Sequence, residues 1–361
     1  MTIRLAVVDD SAFVRKAIAR MLQGEDDVSI VGLAASGEEL IAHLEEWNPN
    51  AVTLDLSMPG IGGLATLDFI RAWRPVPVLI VSGHSTRETP LAVEALHRGA
   101  ADFIDKQDFS LVDFQGLRAT IVAKLRTLTK RSADVPSAGI ERPARSPLRS
   151  PGETPSDCGQ DARAPRHDLV VIGASTGGPP AIEHVLERLG GSPSVPIAIV
   201  QHMPAGFTTA FAERMNARMP FPVEEAKHNR ELIAGTVYIA PAGTHFCVQV
   251  SASSLCAKLA RFPETQHRPS VDVLFQSAAE LGPRVIGVLL TGMGEDGARG
   301  LLELSKRGAL TIAQDERSSI VYGMPRAAAE LGAVSEQLAL ADIGPRLRYL
   351  LDRNVLAYPA P

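Results

Sequence analysis

Three residues of types that together can hydrolyse an ester follow three separate apolar segments in the second half of the chain. Ser175 lies in "GASTG" after "LVVI", His202 follows "IAIVQ", and Asp296 lies in "TGMGEDG" after "VIGVLL". A serine nucleophile needs a base to take its proton, and a histidine base needs a carboxylate that fixes its tautomer and stabilises the imidazolium ion. The carboxyl ends of neighbouring parallel strands meet at one edge of a sheet. The pattern therefore predicts a catalytic triad.

The residues alone leave other interpretations of these motifs open. Pro179 and Pro180 are typical of a helix's first turn, so Ser175 also suits a structural helix cap, as Asp296 does before its own helix. A dinucleotide fingerprint, G-x-G-x-x-G, is incomplete because Ser175 replaces the middle glycine, and the Walker A lysine is missing. The order Ser, His, Asp along the chain differs from the Ser, Asp, His order of α/β-hydrolases and argues against that fold.

A second group of polar residues follows strand-like segments near the N-terminus. Asp9 and Asp10 end the first segment, Asp55 the third, Ser82 the fourth and Lys106 the fifth. Three carboxylates gathered at one sheet edge repel one another unless a divalent cation lies among them, and oxygen ligands suit Mg²⁺. A carboxylate beside Mg²⁺ and a lysine can accept a phosphoryl group, which the Ser82 hydroxyl would then bind. The alternative, that Asp9 and Asp10 are loop and cap residues, leaves the agreement of four strand ends unexplained.

Alternating strand and helix patterns predict the elements that position these residues. Five short apolar strands with interposed helices predict an N-terminal, doubly wound, five-stranded parallel sheet. The second half predicts an α/β domain with a mostly parallel sheet and an antiparallel hairpin region, "TVYIAPAG" to "SLCAKLA". Between them, residues 131–166 hold six prolines, six arginines and no aromatic residue, which is typical of a flexible linker. We predict domains at 1–125 and 168–361 with a linker at 126–167.

The composition argues against several classes of protein. The formal charge is −5, whereas nucleic-acid binding usually requires a basic face. The N-terminal "MTIRLAVVDD" resembles neither a signal peptide nor a membrane span, and Cys158, Cys247 and Cys256 show no metal-binding or paired spacing. We expect a cytoplasmic protein with no membrane insertion and no nucleic-acid partner.

The motifs "VVDDS", "LDLSMPG", "VSG" and "DFIDK" resemble the receiver domain of two-component response regulators. The resemblance implies phosphorylation on Asp55. The Mg²⁺ ligands that it implies are Asp9, Asp10, Asp55 and the backbone carbonyl of Ser57, and the switch residues are Ser82, Lys106 and Phe103. The chain departs from the family at Gln107, where proline usually follows the lysine, and at Gly62-Gly63, where Asp-Gly is usual. Both departures concern loop shape more than phosphoryl chemistry.

The motifs "GASTGGP", "QHMPAGFT", "YIAPAGTH", "RPSVD" and "LLTGMGEDGARGL" resemble the catalytic domain of bacterial chemotaxis protein-glutamate methylesterases. The resemblance implies a triad of Ser175, His202 and Asp296, with the Met293 backbone N–H in the oxyanion hole. It implies hydrolysis of glutamyl methyl esters and deamidation of glutamines on methyl-accepting chemotaxis receptors, without a cofactor for the esterase. A chemotaxis histidine kinase would be the phosphodonor, and the unphosphorylated receiver would restrain the active site.

Two further residues lie in the family's motifs, and three other functions are compatible with parts of the sequence. His245 and Arg268 lie in motifs near the implied cleft, where a packing role suits them equally. A receiver-controlled binding module would leave Ser175 unreactive, and a dinucleotide oxidoreductase would bind its cofactor. A DNA-binding regulator would need a basic recognition helix, which the pattern after the linker does not offer.

Overall fold

Two α/β domains make up the part of the chain described by the computed structural model, which comprises residues 2–83, 85, 88–106, 114–134, 167–250 and 254–356. The N-terminal elements are β1 (Ile3–Val8), α1 (Ala12–Leu22), β2 (Val28–Ala34), α2 (Gly37–Trp47), β3 (Ala51–Asp55), α3 (Gly62–Trp73), β4 (Val78–Ser82), α4 (Glu88–His97), β5 (Asp102–Asp105) and α5 (Phe114–Asp134). The five strands are parallel in the order β2-β1-β3-β4-β5. This confirms the predicted doubly wound sheet.

The C-terminal domain is built around a seven-stranded parallel sheet. Its elements are β6 (Leu169–Ala174), α6 (Gly178–Arg188), β7 (Ile197–Gln201), α7 (Phe207–Arg218), β8 (Val223–Glu225), β9 (Val237–Ile239), β10 (His245–Val250), β11 (Leu255–Ala260), α8 (Val271–Ala278), a 3₁₀ turn (Ala279–Arg284), β12 (Val285–Leu289), α9 (Ala298–Lys306), β13 (Leu310–Gln314), α10 (Met324–Glu330), β14 (Glu336–Leu338) and α11 (Leu340–Leu356). The sheet order is β14-β13-β12-β6-β7-β9-β8, and β10 and β11 form a separate antiparallel pair. The predicted architecture is confirmed, although β9 joins the parallel sheet rather than the hairpin.

The central strand β6 shows why this sequence forms a sheet covered on both faces. All six of its residues are buried, as expected for a parallel strand between two helical layers. Leu169 and Val171 belong to the same apolar core as residues of α8 and α9. Val170 and Ile172 face the other way, into the core that contains α6 and α11. The alternation follows the two-residue period of a strand.

The position of β6 also creates a crevice at the carboxyl edge of the sheet. The chain moves from β6 to β7 on one side, whereas β12 pairs with β6 on the other. The connections therefore leave in opposite directions between β6 and β12, and in open α/β sheets this is where ligands bind.

The two domains share an apolar contact built mainly from α4 and α7. Residues of α4 such as Val93 and Leu96 belong to the same core cluster as Phe207 and Phe211. On β5, Phe103 stacks on Phe207 with ring centroids 4.7 Å apart and planes inclined by 10°. The N-terminal domain is thus docked through its α4, β5 and α5 side.

The helix α5 extends beyond the domain boundary that the sequence indicates. It continues to Asp134, so residues 126–134, assigned above to the linker, are helical. Arg126 lies in ion-pair contact with both Glu25 and Asp27, which ties this part of the helix to the N-terminal domain. Of the rest of the predicted linker, residues 135–166 lie outside the described residues, and the domain boundaries stay a prediction. Within the described residues, no helix has both the length and the apolar character needed to cross a membrane.

We predict that Gly173→Ala destabilises the C-terminal domain. A Cβ at this buried position would lie 2.1 Å from Cγ1 of Val271, the first residue of α8. The overpacking should lower the free energy of unfolding by about 1–3 kcal/mol, measured by chemical denaturation. In the control Gly191→Ala, the new methyl group meets only the flexible end of Arg348. Equal unfolding midpoints for the two variants would contradict the tight packing of α8 on β6.

Candidate active site

The carboxyl edge of the N-terminal sheet carries a cluster of acidic residues and a lysine. Asp9, Asp10 and Asp55 each place a carboxylate oxygen within 4.8 Å of the others. The Lys106 Nζ lies 2.7 Å from Asp55 Oδ2 and 3.1 Å from Asp9 Oδ2. Burial, together with the negative charge of Asp55, raises the pKa of Asp9 despite the neighbouring lysine. The excess of negative charge and the all-oxygen donor set fit Mg²⁺, which prefers carboxylate and carbonyl ligands.

The other residues expected in the N-terminal site lie beside this cluster or, in the case of Phe103, against the C-terminal domain. Ser57 follows Asp55 by two residues and donates its backbone N–H to Asp55 Oδ1 at 3.1 Å. Ser82 ends β4, and its buried hydroxyl has no hydrogen-bond partner among the described residues. Phe103 is buried against the C-terminal domain through its stack on Phe207. Gln107 lies outside the described residues.

Ser175 directly follows β6 in the crevice. Its backbone N–H donates to Thr291 O at 3.0 Å, and its carbonyl accepts from Gln201 Nε2 at 2.9 Å. The N-cap of α6 is Gly177, which has no side-chain capping bond, so the helix-cap interpretation of Ser175 is wrong. Within the described ranges, the Ser175 hydroxyl has no hydrogen-bond partner. It lines a cavity of about 1330 Å³.

His202 occupies the corresponding position after the neighbouring strand. Ala174 and Gln201 are register partners on β6 and β7, and the His202 N–H donates to Ala174 O at 3.1 Å. The chain therefore brings His202 beside Ser175 at the carboxyl edge. Its Nε2 lies 2.8 Å from Asp296 Oδ2. Its Nδ1 is buried, and no described residue forms a hydrogen bond with it.

Asp296 is held at the amino end of α8. Its carboxylate accepts from the Ser270 hydroxyl at 2.8 Å, the Val271 N–H at 2.7 Å and the Asp272 N–H at 3.1 Å. Burial alone would raise the pKa of Asp296, but the hydrogen bond and charge of His202, with the donors of α8, lower it to about 2. A carboxylate that receives several N–H bonds is stabilised in its charged form. Asp296 is thus ionised, and the neutral tautomer of His202 that fits this contact carries its proton on Nε2.

The glycine-rich loop after β12 lies against Ser175. A Cβ on Gly292 would lie 2.8 Å from Ser175 Cβ and 2.1 Å from Met324 Sδ, so the loop approaches the serine as only glycine permits. Gly294 and Gly297 have φ values of +86° and +92°, which are accessible to glycine with little strain. The Met293 N–H has no acceptor among the described residues. The loop thus approaches Ser175 at Gly292, directly before Met293, and the oxyanion role that the family resemblance implies for the Met293 N–H stays a prediction.

The N-terminal domain covers one side of this cavity. Asp102, on β5, accepts a hydrogen bond from the Thr176 hydroxyl at 2.6 Å, and Thr176 immediately follows Ser175. Lys124 on α5 forms an ion pair with the same Asp102 carboxylate. The Thr127 hydroxyl lies 3.8 Å from Met293 Sδ. Residues of both domains therefore line the cavity that holds the triad residues.

His245 does not line the cavity and has a structural role instead. It is fully buried, its Nδ1 accepts from Ser270 N at 3.2 Å, and its Nε2 lies 2.9 Å from the Pro263 carbonyl. It thereby fastens the segment 263–270 at both ends. Arg268, on this segment, lines the cavity and pairs with Glu264 at 3.0 Å.

Sequence reasoning did not single out four residues that the structure brings to the site. These are Asp102, Thr176, His267 and Ser270. A signal existed for Ser270, because a serine before "VDVL" is typical of an N-cap. Thr176 was visible as the neighbour of Ser175. The ring of His267 stacks on His202 with centroids 4.1 Å apart, and only the folded structure identifies that pair.

Comparison with known proteins agrees with both domains. Residues 170–347 match the family model of the CheB methylesterase, and residues 5–113 match the response regulator receiver domain. A relative from Bordetella parapertussis, named protein-glutamate methylesterase/protein-glutamine glutaminase, is 41% identical over 352 residues, which is 96% of each chain. A relative from Caulobacter vibrioides, numbered 1 under the same name, is 41% identical over 95% of this chain and 96% of its own.

A solved structure supports the assignment of the second domain. The crystal structure of the Thermotoga maritima CheB methylesterase catalytic domain covers 51% of this chain and 98% of its own, at 35% identity and a TM-score of 0.50. This structure and the relatives that are similar over nearly the whole length agree on the family of the chain. The chain, a response regulator receiver domain followed by a CheB methylesterase domain, belongs to the family of protein-glutamate methylesterases/protein-glutamine glutaminases.

Proposed function

We propose that the protein demethylates glutamate methyl esters, and deamidates glutamines, on methyl-accepting chemotaxis receptors, with Ser175, His202 and Asp296 as its triad. One observation carries the proposal. Ser175 and His202 line one cavity from adjacent strand ends, and neither the Ser175 hydroxyl nor the His202 Nδ1 has a hydrogen-bond partner among the described residues. The ionised Asp296 carboxylate holds the other nitrogen of the imidazole. These are the three groups that nucleophilic acyl transfer requires.

In the first half of the reaction, Ser175 Oγ attacks the ester carbonyl and His202 Nδ1 takes the hydroxyl proton. The imidazolium ion that forms is stabilised by the Asp296 carboxylate. The Met293 N–H would donate to the oxyanion of the tetrahedral intermediate. When the intermediate collapses, methanol leaves with the proton from His202, and a glutamyl ester of Ser175 remains.

In the second half, water replaces methanol at the same groups. His202 Nδ1 takes a proton from the water as its oxygen attacks the Ser175 ester. Collapse of the second tetrahedral intermediate returns that proton to Ser175 Oγ and releases glutamate. A receptor glutamine follows the same path with ammonia as the leaving group, which accounts for both activities in the relatives' names.

The receiver domain supplies the regulated part of the function. Asp55 would accept the phosphoryl group, with Lys106 and the Ser82 hydroxyl binding its oxygens. Asp9, Asp10 and Asp55, with the Ser57 carbonyl, would hold Mg²⁺. The ion would offset the charge of the phosphoryl oxygens. A chemotaxis histidine kinase would be the phosphodonor, in the cytoplasm where the receptor methylation helices lie.

Docking of the receiver over the cavity explains how phosphorylation would control the esterase. Asp102 binds Thr176 next to the proposed nucleophile, and Phe103 links the receiver's switch region to Phe207. Phosphorylation adds close to two negative charges near Lys106 and Ser82. A change at Lys106 reaches Phe103 along β5. It can shift the equilibrium between docked and undocked forms when their free energies differ by a few kcal/mol. The undocked form would admit the receptor helix.

We predict that Ser175→Ala lowers methanol release from methylated receptor membranes by about 10⁴-fold or more. The loss follows because no other hydroxyl replaces the nucleophile. Assays with and without a phosphodonor would compare it with Ser305→Ala, which changes a half-buried serine on α9. Demethylation at the wild-type rate by Ser175→Ala would remove the triad from the proposal.

We predict that Asp296→Asn flattens the acid limb of the stability profile. The folded-state pKa of Asp296, about 2, lies below its ordinary value of 3.8. Its stabilisation is therefore complete above about pH 5 and is lost as the pH falls through 3.8 toward 2, with about 1 kcal/mol lost between pH 5 and pH 3. Urea denaturation should show this loss in wild type and in the exposed control Asp342→Asn. An unchanged acid limb in Asp296→Asn would contradict the charge assigned to this carboxylate.

We predict that reversing one charge of the Glu94 and Arg214 ion pair between the domains raises basal esterase activity. Glu94→Arg or Arg214→Glu alone places like charges across the contact between α4 and α7. Basal activity should rise about fivefold or more, measured as methanol release without a phosphodonor. The double variant restores opposite charges and should return to low activity. High basal activity in the double variant would count against restraint by docking. So would the absence of any rise in basal activity in both single variants.

A further inference from the structure

The orientation of the His202 ring is not fixed by its hydrogen bond alone. Its Nε2 makes one contact of 2.8 Å with Asp296, and its Nδ1 has no partner within the described part of the chain. An imidazole held at one nitrogen can still pivot about that hydrogen bond. Reaction with a serine requires Nδ1 to point steadily toward the hydroxyl, because misplacement by about 1 Å can cost 10²-fold in rate. A second contact must set the plane of the ring.

The imidazole of His267 provides that contact. Its ring lies parallel to His202, with centroids 4.1 Å apart and planes inclined by 20°. Both rings line the same cavity. Stacking is a favourable arrangement for aromatic rings. The stacked ring blocks the pivoting motion on one face of His202.

The segment that carries His267 is itself fixed. His245, fully buried on β10, holds the Pro263 carbonyl and the Ser270 N–H on either side of it. The Arg268 carbonyl accepts from Gly243 N at 3.0 Å. Because these hydrogen bonds hold the segment in place, the His267 ring can position the His202 ring. A stacking partner on a mobile loop would instead move together with the His202 ring.

His267 is also suited to face an imidazolium ion. Burial, followed by the neighbouring charge of His202, lowers the pKa of His267 to about 4. Its ring is therefore neutral at neutral pH. A neutral aromatic face attracts a cation, whereas a charged partner at this distance would repel it. The stack is compatible with both protonation states that His202 passes through in the proposed reaction.

We propose that His267 is a positioning residue that holds the His202 ring in its reactive plane by stacking. This inference rests on the proposed function, because it acts through the triad. The contact is made by the flat ring and not by a ring nitrogen, so phenylalanine should substitute for His267 and alanine should not.

The experiment compares His267→Ala and His267→Phe with wild type and with His184→Ala, which removes a half-buried histidine from α6. Initial rates of methanol release from methylated receptor membranes, with a phosphodonor present, give kcat and KM for each full-length protein. We expect His267→Ala to lower kcat by about 10²-fold with KM nearly unchanged, and His267→Phe to retain kcat within a few fold. Urea denaturation of each variant separates loss of folding from loss of positioning.

Each result decides the inference. Wild-type kcat in His267→Ala would overturn it, and so would an equal loss in the alanine and phenylalanine variants, since the stack would then not be the cause. If alanine unfolds the protein, the phenylalanine variant still decides, because a large loss of its kcat overturns the inference. Wild-type activity in Ser175→Ala, assayed alongside, would overturn the proposed function and this inference together. Failure of the His267 variants alone leaves the triad standing.

Discussion

The ionised carboxylate of Asp296 is the group on which the geometry of the catalytic domain depends. It is largely buried, yet the donors at the amino end of α8 and the His202 ring keep it charged. A helix N-terminus favours an anion, because its first N–H groups have no partners within the helix. The same carboxylate fixes the tautomer of His202. Packing of α8 on β6 at Gly173 is therefore also a condition for the chemistry.

The domain interface and the active site are built from overlapping residues. Asp102 and Lys124 belong to the receiver, yet they meet beside Thr176, one position from the proposed nucleophile. Farther out, α4 packs on α7, and His97 on the receiver side forms a buried pair with Glu183 of α6. Because α7 begins shortly after His202, movement of the receiver would act on an element close to the proposed catalytic base. In the proposed function, restraint and catalysis would thus share one surface, and undocking would remove the restraint without rebuilding the triad.

The sequence predicted those parts of the site that end strands. Ser175 and His202 follow adjacent parallel strands, and such ends must meet at one edge, so their convergence followed from the strand pattern. Asp9, Asp55 and Lys106 were predictable for the same reason. The residues that sequence reasoning missed meet through tertiary packing, which no local pattern encodes. His267 reaches His202 from a segment without regular structure, and Asp102 reaches Thr176 from the other domain.

The end of α5 shows a different limit of prediction. Residues 126–134 adjoin a proline-rich stretch and were assigned to the linker. Helical structure continues there because Leu128 is buried and Arg126 pairs with acidic residues near the start of β2. Those partners lie about a hundred positions away in sequence. Composition predicted a linker between the domains, but it did not indicate where the receiver's last helix stops.

The most direct measurement is to map a fluorophosphonate adduct by mass spectrometry on the full-length protein in the presence of a phosphodonor. This reagent modifies a serine whose hydroxyl has been activated by a base. We expect one adduct, on Ser175, with a labelling rate that falls by about 10³-fold in His202→Ala. An adduct on a different serine, or labelling of Ser175 at the same rate without His202, would contradict the activation of Ser175 by His202.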